Sequence, residues 1–355
     1  MGFGMTYLTQ LTGVQNNFPL TTQSFAGSGT WVAPANGWAT FYVIGAGGSG
    51  GAVRQSSNPG RRRATGGGAG GFASKRVYVT SGTSFTITVG AGGAGVAPAD
   101  GTSTNGNPGG TTSVSSTITN ITCTGGGGGT ATVGPSALTA GAGGTATGGD
   151  INYTGGSGGN CPNGSTADFN FATGGGAVGL FQNGFSAGQT PTTSSGSQIS
   201  ATGGAGIGGK SGDVTVTTNL TATGGGGSAG ASSNDSATGG AGGPTSEIGG
   251  IFGYPLTGQG VGGGNVGNSP GFSGPAATLG AGSGGYTSSV PSATGITTGA
   301  GNGFGGSGGF AGYAGGASGA CLYGSGSGGT TVGSANAATT GKGGDGLVII
   351  QFLGQ

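Results

Sequence analysis

The groups that could act on a substrate are few and scattered. The 355 residues contain no histidine and seven carboxylates: Asp100, Asp150, Asp168, Asp213, Asp235, Glu247 and Asp345. A glycosidase needs two carboxyl groups facing each other across the scissile bond. These seven are isolated, several of them beside glycine, where aspartate forms turns. Cys123, Cys161 and Cys321 follow neither a metal-ligand spacing nor a C-x-x-C pattern and read as free buried thiols. Calcium loops of the D-x-D-x-D-G kind are absent. G-x-G-x-x-G strings recur, but a dinucleotide site also needs a flanking strand, a helix and an acid. The N-x-[ST] sequons at Asn120, Asn152, Asn163, Asn219 and Asn234 are what chance gives in a Thr/Ser-rich chain. The reading is a protein that is not an enzyme, with no catalytic residue, metal site or cofactor.

Charge adds little. Eight Lys+Arg against seven Asp+Glu give a net charge of +1 and no case for nucleic acid as a partner. The distribution is uneven: Arg54, Arg61, Arg62, Arg63, Lys75 and Arg76 lie together with no acid between them. Two readings stand side by side. The cluster is a solubilising loop, or Arg54, Arg61, Arg62 and Arg63 contact an acidic polymer such as the phosphates of a lipopolysaccharide. The start, MGFGMTYLTQLTG, has no basic beginning and no apolar run, so no secretory signal is read. No stretch approaches the length of a membrane span. Met1-Gly2 with Thr6 fits the bare myristoylation pattern, a match that chance explains here.

The elements that must hold any functional residue are dominated by glycine, which supplies 101 of the 355 residues. Collagen requires strict Gly-X-Y periodicity and abundant proline; the chain has 13 prolines and drifting glycine spacing. A Gly/Ser tether would be a random coil, yet the chain holds 15 Phe, 8 Tyr and 2 Trp with only 4 % charged residues. So many aromatics imply packing or contact.

Strand signals gather toward the ends of the chain. The stretch 30-TWVAPANGWATFYVIGA-46 reads as strand, turn and strand, with turn chemistry from Pro34 to Gly37. The stretch 72-FASKRVYVTSGTSFTITVGAGG-93 reads as a hairpin turning at Ser81-Gly82, with Val77, Val79, Phe85, Ile87 and Val89 on one face. A further pair lies in 111-TTSVSSTITNITCTG-125, and 345-DGLVIIQFL-353 is a continuous apolar strand that pairs with the N-terminal ones. Phe25, Trp31, Trp38, Phe41, Phe85 and Phe352 are assigned to this β core. Nothing carries a helical period, and Gly, Thr and Ser oppose helix.

Residues 125–344 hold the glycine runs 125–129, 174–176, 224–227 and 262–264, and 109–129 echoes 208–227. Ordering a glycine costs about 1–2 kcal/mol of backbone entropy. What glycine offers is a backbone with no side chain in the way. Extended chains with three residues per turn have no internal hydrogen bonds and can bond sideways to close neighbours. A bundle of polyglycine II helices is therefore the ordered solution, against a disordered alternative that composition alone would favour. The expected fold is all-β and irregular: a small N-terminal β-sandwich over 27–124 closed by 345–353, a polyglycine II bundle over 125–344, and an N-terminal segment, 1–26.

The segments TWVAP…FYVIGAGGSGG, GGAGGFASKRVYVTSGTSFTITVGAGGAG, TGGGGG and GKGGDGLVIIQF resemble the glycine-rich domain of bacteriophage tail-fibre and related virion proteins. The middle region resembles the receptor-binding adhesins at the tips of T-even-like long tail fibres. The resemblance implies a virion surface protein, assembled in the host cytoplasm, that binds a bacterial outer-membrane protein or surface glycan through loops between glycine helices. T-even-like adhesins carry a sizeable N-terminal attachment domain, and here only about 26 residues precede the glycine-rich domain. With no shaft present, the implied protein is a separate tip, knob or decoration subunit. Attachment to other tail or fibre proteins then falls to Phe3, Tyr7, Leu8, Leu11, Phe18 and Leu20. A homo-oligomer is left open.

On such a scaffold specificity must come from loops. The candidate receptor contacts are the aromatics between glycine runs: Tyr153, Phe169, Phe171, Phe181 and Phe185; Phe252 and Tyr254; Phe272 and Tyr286; Phe304, Phe310, Tyr313 and Tyr323. The alternative for each is a cap or small core within the glycine bundle. At the level of function, the alternatives are a structural head or tail decoration and, more remotely, an ice-binding protein or a matrix filler.

Overall fold

Strands form where β-branched and aromatic residues replace glycine. The computed structural model describes residues 20–56, 61–162, 169–190, 198–207, 210–211, 213, 220–223, 225, 232–234, 247–248, 256–257, 265–266, 282–283, 285–288, 296–298, 304–313, 315–334 and 336–355. Within them the chain is all-β and contains no helix.

Two five-stranded antiparallel sheets make a sandwich. The first, the terminal sheet, runs in the order Leu20–Phe25, Leu347–Gly354, Gly37–Ile44, Phe72–Val79, Ile151–Tyr153. The second runs Ala146–Thr147, Asn120–Cys123, Thr112–Ser115, Ser84–Thr88, Gly29–Val32. The apolar C-terminal run lies between two N-terminal strands, with Leu347 opposite Ile44 and Leu353 opposite both Trp38 and Leu20. Alternate residues point inward: Ala39, Phe41 and Val43 from one sheet meet Phe85 and Ile87 from the other. Trp31 is the hub, its ring 5.8 Å from Phe41, 5.3 Å from Phe85 and 5.7 Å from Phe352. Burying each such side chain stabilises by about 1.5–3 kcal/mol.

Three expectations change here. The stretch 72–93 is not a hairpin: Phe72–Val79 pairs with Gly37–Ile44, whereas Ser84–Thr88 pairs with Gly29–Val32 in the opposite sheet. The chain crosses the core between them. Period-two alternation is the same for strands side by side and strands face to face, so it cannot distinguish the two. Residues 20–25, expected in the segment preceding the sandwich, form a strand of the terminal sheet, and 146–147 and 151–153 join the sandwich from the expected glycine bundle. Trp38 is not in the core. It points outward, half-buried, with its ring 5.4 Å from Tyr78 and the Arg76 guanidinium 4.9 Å away.

The glycine segments continue the sandwich strands and bond sideways with a period of three. The N–H groups of Gly45, Gly48 and Gly51 donate to Gly71, Gly68 and Thr65. Ala46 and Ser49 donate to Gly110 and Asn107, and Gly47 donates to Gly344. Likewise Thr65, Gly68 and Gly71 donate to Thr130, Gly127 and Thr124, while Gly67 and Gly70 donate to Ser327 and Gly324. Consecutive residues thus serve three different neighbours, and residues three apart serve the same one. The segments are close enough that a Cβ built on Gly48 would strike the Gly127 carbonyl, and one on Gly126 the Gly68 carbonyl.

Hydroxyl groups are spliced into this network. Thr202 accepts from the Gly174 N–H (3.1 Å) and donates to the Gly188 carbonyl (2.8 Å). Ser327 accepts from Gly50 (2.9 Å) and donates to Gly341 (2.7 Å). A hydroxyl does both because it holds one donor and two lone pairs. The Cys123 and Cys321 thiols donate to the carbonyls of Val43 (3.2 Å) and Gly326 (3.1 Å).

At the far end the segments run into two sheets packed face to face. Segment 45–51 leaves the sandwich at Ile44, and 65–71 returns to it at Phe72. The outbound sheet contains Asn265–Val266, Tyr286–Ser288, Phe310–Gly312, Thr330–Val332 and Ala52–Arg54 in parallel, with Thr102–Thr104 at its edge. The return sheet contains Arg62–Ala64, Phe169–Ala172, Gln198–Ala201 and Leu220–Thr223 in parallel, flanked by Ala131–Val133 and Ser232–Asn234. Parallel strands need a crossover, and here an outbound and a returning glycine segment supply it. The sequence marks both sheets. Ala-Thr-Gly-Gly recurs at 64–67, 172–175, 201–204 and 222–225, and the four alanines are in register. Ser-Gly-Gly recurs at 49–51, 283–285, 307–309 and 327–329, each ahead of an outbound strand.

If the close backbone approach orders these segments, Gly48→Ala lowers stability by about 3 kcal/mol or more, since overpacking a core already costs 1–3 kcal/mol and backbone cannot swing aside. Gly27→Ala, at a position with open space around it, changes stability by less than about 0.5 kcal/mol. Paired denaturant melts read the difference.

Candidate functional site

Because every described excursion leaves the sandwich and returns, the connections fall into two groups. Residues 52–56, 61–64, 96–105, 131–139, 160–162, 169–172, 310–313, 315–317, 330–334 and 336–340 lie at the distal end. The turns around 178–184, 205–207 and 321–324 lie at the proximal end, against the sandwich. In proteins generally, binding and catalytic residues concentrate on loops held by a rigid scaffold.

The arginine cluster sits at that end, but not as expected. Arg62 and Arg63 are 1 % and 0 % exposed, so neither is a surface cation. They occupy successive positions of a strand covered on both faces. Arg62 donates from Nε (3.1 Å) and Nη2 (2.8 Å) to the Gln55 carbonyl and from Nη1 to Asn170 Oδ1 (2.9 Å). Its guanidinium also lies 5.9 Å from the Tyr313 ring. Arg63 donates from Nη1 to the carbonyls of Pro135 (3.0 Å) and Ser136 (2.9 Å), and burial pulls its pKa below the ordinary range. The pair ties three distal connections together. Arg54 and Arg61 are partly exposed.

A family model described as a glycine-rich domain matches residues 21–244. The chain belongs to the glycine-rich domain family. No curated protein matches it. The glycine-rich domain match begins within the Leu20–Phe25 strand and takes in most of the sandwich and several outbound and returning segments.

The aromatic candidates divide. Phe171 is buried beside Cys161 and Leu138. Tyr286 and Phe310 are fully buried and stacked, with centroids 5.8 Å apart and planes 5° apart, packed with Val332 and Ala338. Each is the first strand residue after a Ser-Gly-Gly step, a junction that places it inside. Phe304 is also buried, in a proximal cluster where Val178, Leu180 and Ile207 press onto Ile44, Phe72, Leu347 and Ile349 of the sandwich. These four are core residues and not receptor contacts. Tyr153 and Tyr323 flank that proximal joint, Tyr153 stacking 6.2 Å from Phe72 and Tyr323 lying 5.9 Å from Phe304. Phe181 is 36 % exposed and Phe185 half-buried, both in the proximal turn. Tyr313 is partly exposed and distal, and Phe169 occupies a return strand. Phe252, Tyr254 and Phe272 lie outside the described residues. No single aromatic site forms among the described candidates.

Asp100, Asp150, Asp213 and Asp345, expected to form turns, each accept a hydrogen bond from a backbone N–H of a segment distant in sequence. Asp100 accepts from the Ser56 N–H (2.8 Å) and Ser56 Oγ, and the Ser56 hydroxyl leads in lowering its pKa. Asp150 accepts from the Arg76 N–H (2.9 Å). Partial burial disfavours ionised Asp345, but the Gly92 N–H at 2.7 Å and Lys342 outweigh it and hold its pKa below the ordinary value. Among the described residues no three His, Cys, Asp or Glu gather into a metal-binding group.

Two outcomes follow. Phe310→Ala destabilises by about 3–5 kcal/mol, as large-to-small core changes do, while Phe181→Ala stays within about 0.5 kcal/mol; chemical denaturation separates them. Burial pushes the Cys123 thiol up to about 12 and Cys161 up to about 11. Since the thiolate is the nucleophile, neither reacts with an aromatic disulfide reagent at pH 8 in the folded protein, and both react once it is unfolded.

Proposed function

We propose that this chain is a bacteriophage virion protein, a tail-fibre or tail-tip adhesin that binds a bacterial outer-membrane protein or surface glycan. The scaffold is a bundle of polyglycine II helices. The three-residue period of its lateral hydrogen bonds supports this, since such a helix repeats every three residues and bonds only to neighbours. A β-strand would serve two neighbours in alternation.

The observation that carries the functional reading is polarity. The Leu20 and Leu353 ends of the paired first and last strands meet at the end of the sandwich away from the glycine segments, while the connections richest in sequence variety cluster at the other. That arrangement suits a subunit held by other virion proteins through its N-terminal segment, with its loops offered to a cell surface. The nearly uncharged scaffold leaves selectivity to those loops, with Arg54, Arg61 and Tyr313 among the partly exposed distal groups.

Fab fragments raised against the pure protein, imaged on particles that carry this chain, test the reading. Label at a fibre or tail tip, together with blocked adsorption, is the expected result. Label on the head shell with adsorption unchanged replaces the adhesin by a decoration protein.

A further inference from the structure

The Leu20–Phe25 strand closes one edge of the terminal sheet, and among the described residues nothing pairs with its outer side. Its first five residues are exposed, Leu20 at 63 %. A free edge presents a row of unpaired N–H and C=O groups, and proteins usually guard it by shortness, charge, proline or a bulge. The other edges of the four large sheets follow the first of these rules. Ala146–Thr147 and Asn265–Val266 are two residues long, Ile151–Tyr153, Ala131–Val133, Ser232–Asn234 and Thr102–Thr104 three, and Gly29–Val32 four. Leu20–Phe25 has six residues, LTTQSF, without charge or proline. Its six pairs with Leu353 to Val348 are consecutive, so there is no bulge.

We propose that this strand is a docking edge and that its partner is the same strand of a second copy of the chain, antiparallel and related by a two-fold axis at Thr22. The inference does not depend on the receptor-binding reading. Directly opposed residues in an antiparallel pair face the same side of the sheet. Leu20, Thr22 and Ser24 share the outward face with Leu353, Trp38 and Tyr78. Pairing about Thr22 sets Leu20 opposite the second copy's Ser24, Thr21 opposite Gln23, and Thr22 opposite Thr22. Outward residues meet outward residues, and the hydroxyl pair on the axis is a favourable one. Lacking charge, the edge meets its copy without repulsion and offers nothing that selects a differently charged strand. The contact is isologous and closes at two copies, joining two five-stranded sheets into one.

Sedimentation velocity on the full chain at increasing concentration tests this. The expected result is a species of twice the 32.3 kDa chain mass, with amide exchange at residues 20–25 slowing as it forms. Thr22→Lys sets two lysines against each other on the axis and returns the monomer, with its circular dichroism unchanged and its melting temperature equal to that of the wild-type chain diluted to monomer. Thr86→Lys, on the exposed face of the other sheet, keeps the dimer. A chain that stays monomeric throughout overturns the proposal, whether the edge amides exchange fast or slowly, and so does a dimer that survives Thr22→Lys.

Discussion

Backbone hydrogen bonding between chains that carry no side chains is the interaction on which the rest of this molecule depends. Ordering each glycine costs about 1–2 kcal/mol, and a typical hydrogen bond returns a net 0.5–1.5 kcal/mol. One bond per residue therefore leaves an isolated segment near balance. Residues such as Gly48, Gly68 and Gly126 escape that balance because each gives its N–H to one segment, lends its carbonyl to another and meets a third by direct contact. The lattice is stable only as a whole. The sandwich provides the start: its strands deliver segments 45–51, 65–71 and 125–129 already aligned.

That dependence explains the hydroxyl and thiol positions. A Ser or Thr placed where a glycine would stand must not leave a neighbouring N–H or carbonyl unpaired, and Thr202 and Ser327 each replace the lost link with a bond on either side of the hydroxyl. The same rule accounts for the buried arginines. Arg62 and Arg63 donate to carbonyls of the irregular connections at Gln55, Pro135 and Ser136.

Much of the sandwich was legible in the sequence, because Phe41 and Phe85 have less buried neighbours on either side and burial follows that alternation, while the unbroken apolar run 347–350 announced a strand buried on both faces. Which sheet each strand joins was not, since alternation is blind to the partner. Trp38 shows the same limit from another side: aromatic character suggested the core, while its position one residue off the phase of Ala39 and Phe41 put it outside. The cluster Arg61–Arg62–Arg63 read as surface because charge usually is. Burial of these two side chains comes from groups that local sequence does not reveal, the Gln55 carbonyl and Asn170 against Arg62 and the Pro135 and Ser136 carbonyls against Arg63. Among the aromatics, Tyr286 and Phe310 were indistinguishable from loop residues by composition. The repeated Ser-Gly-Gly ahead of each was the available signal, because it marks the step from glycine segment into strand.

The antiparallel pairing of the first and last described strands gives the fold a mechanical direction. Leu20 lies opposite Leu353, and Phe25, nearer the glycine segments, opposite Val348. A pull between the distal loops and Leu20 runs lengthwise along these strands, so all six residue pairs share the force in shear. A pull that separates the two chain ends opens the same strands from Leu20 and Leu353 inward, one pair at a time. The molecule resists tension along its axis and yields readily to being peeled from its tail.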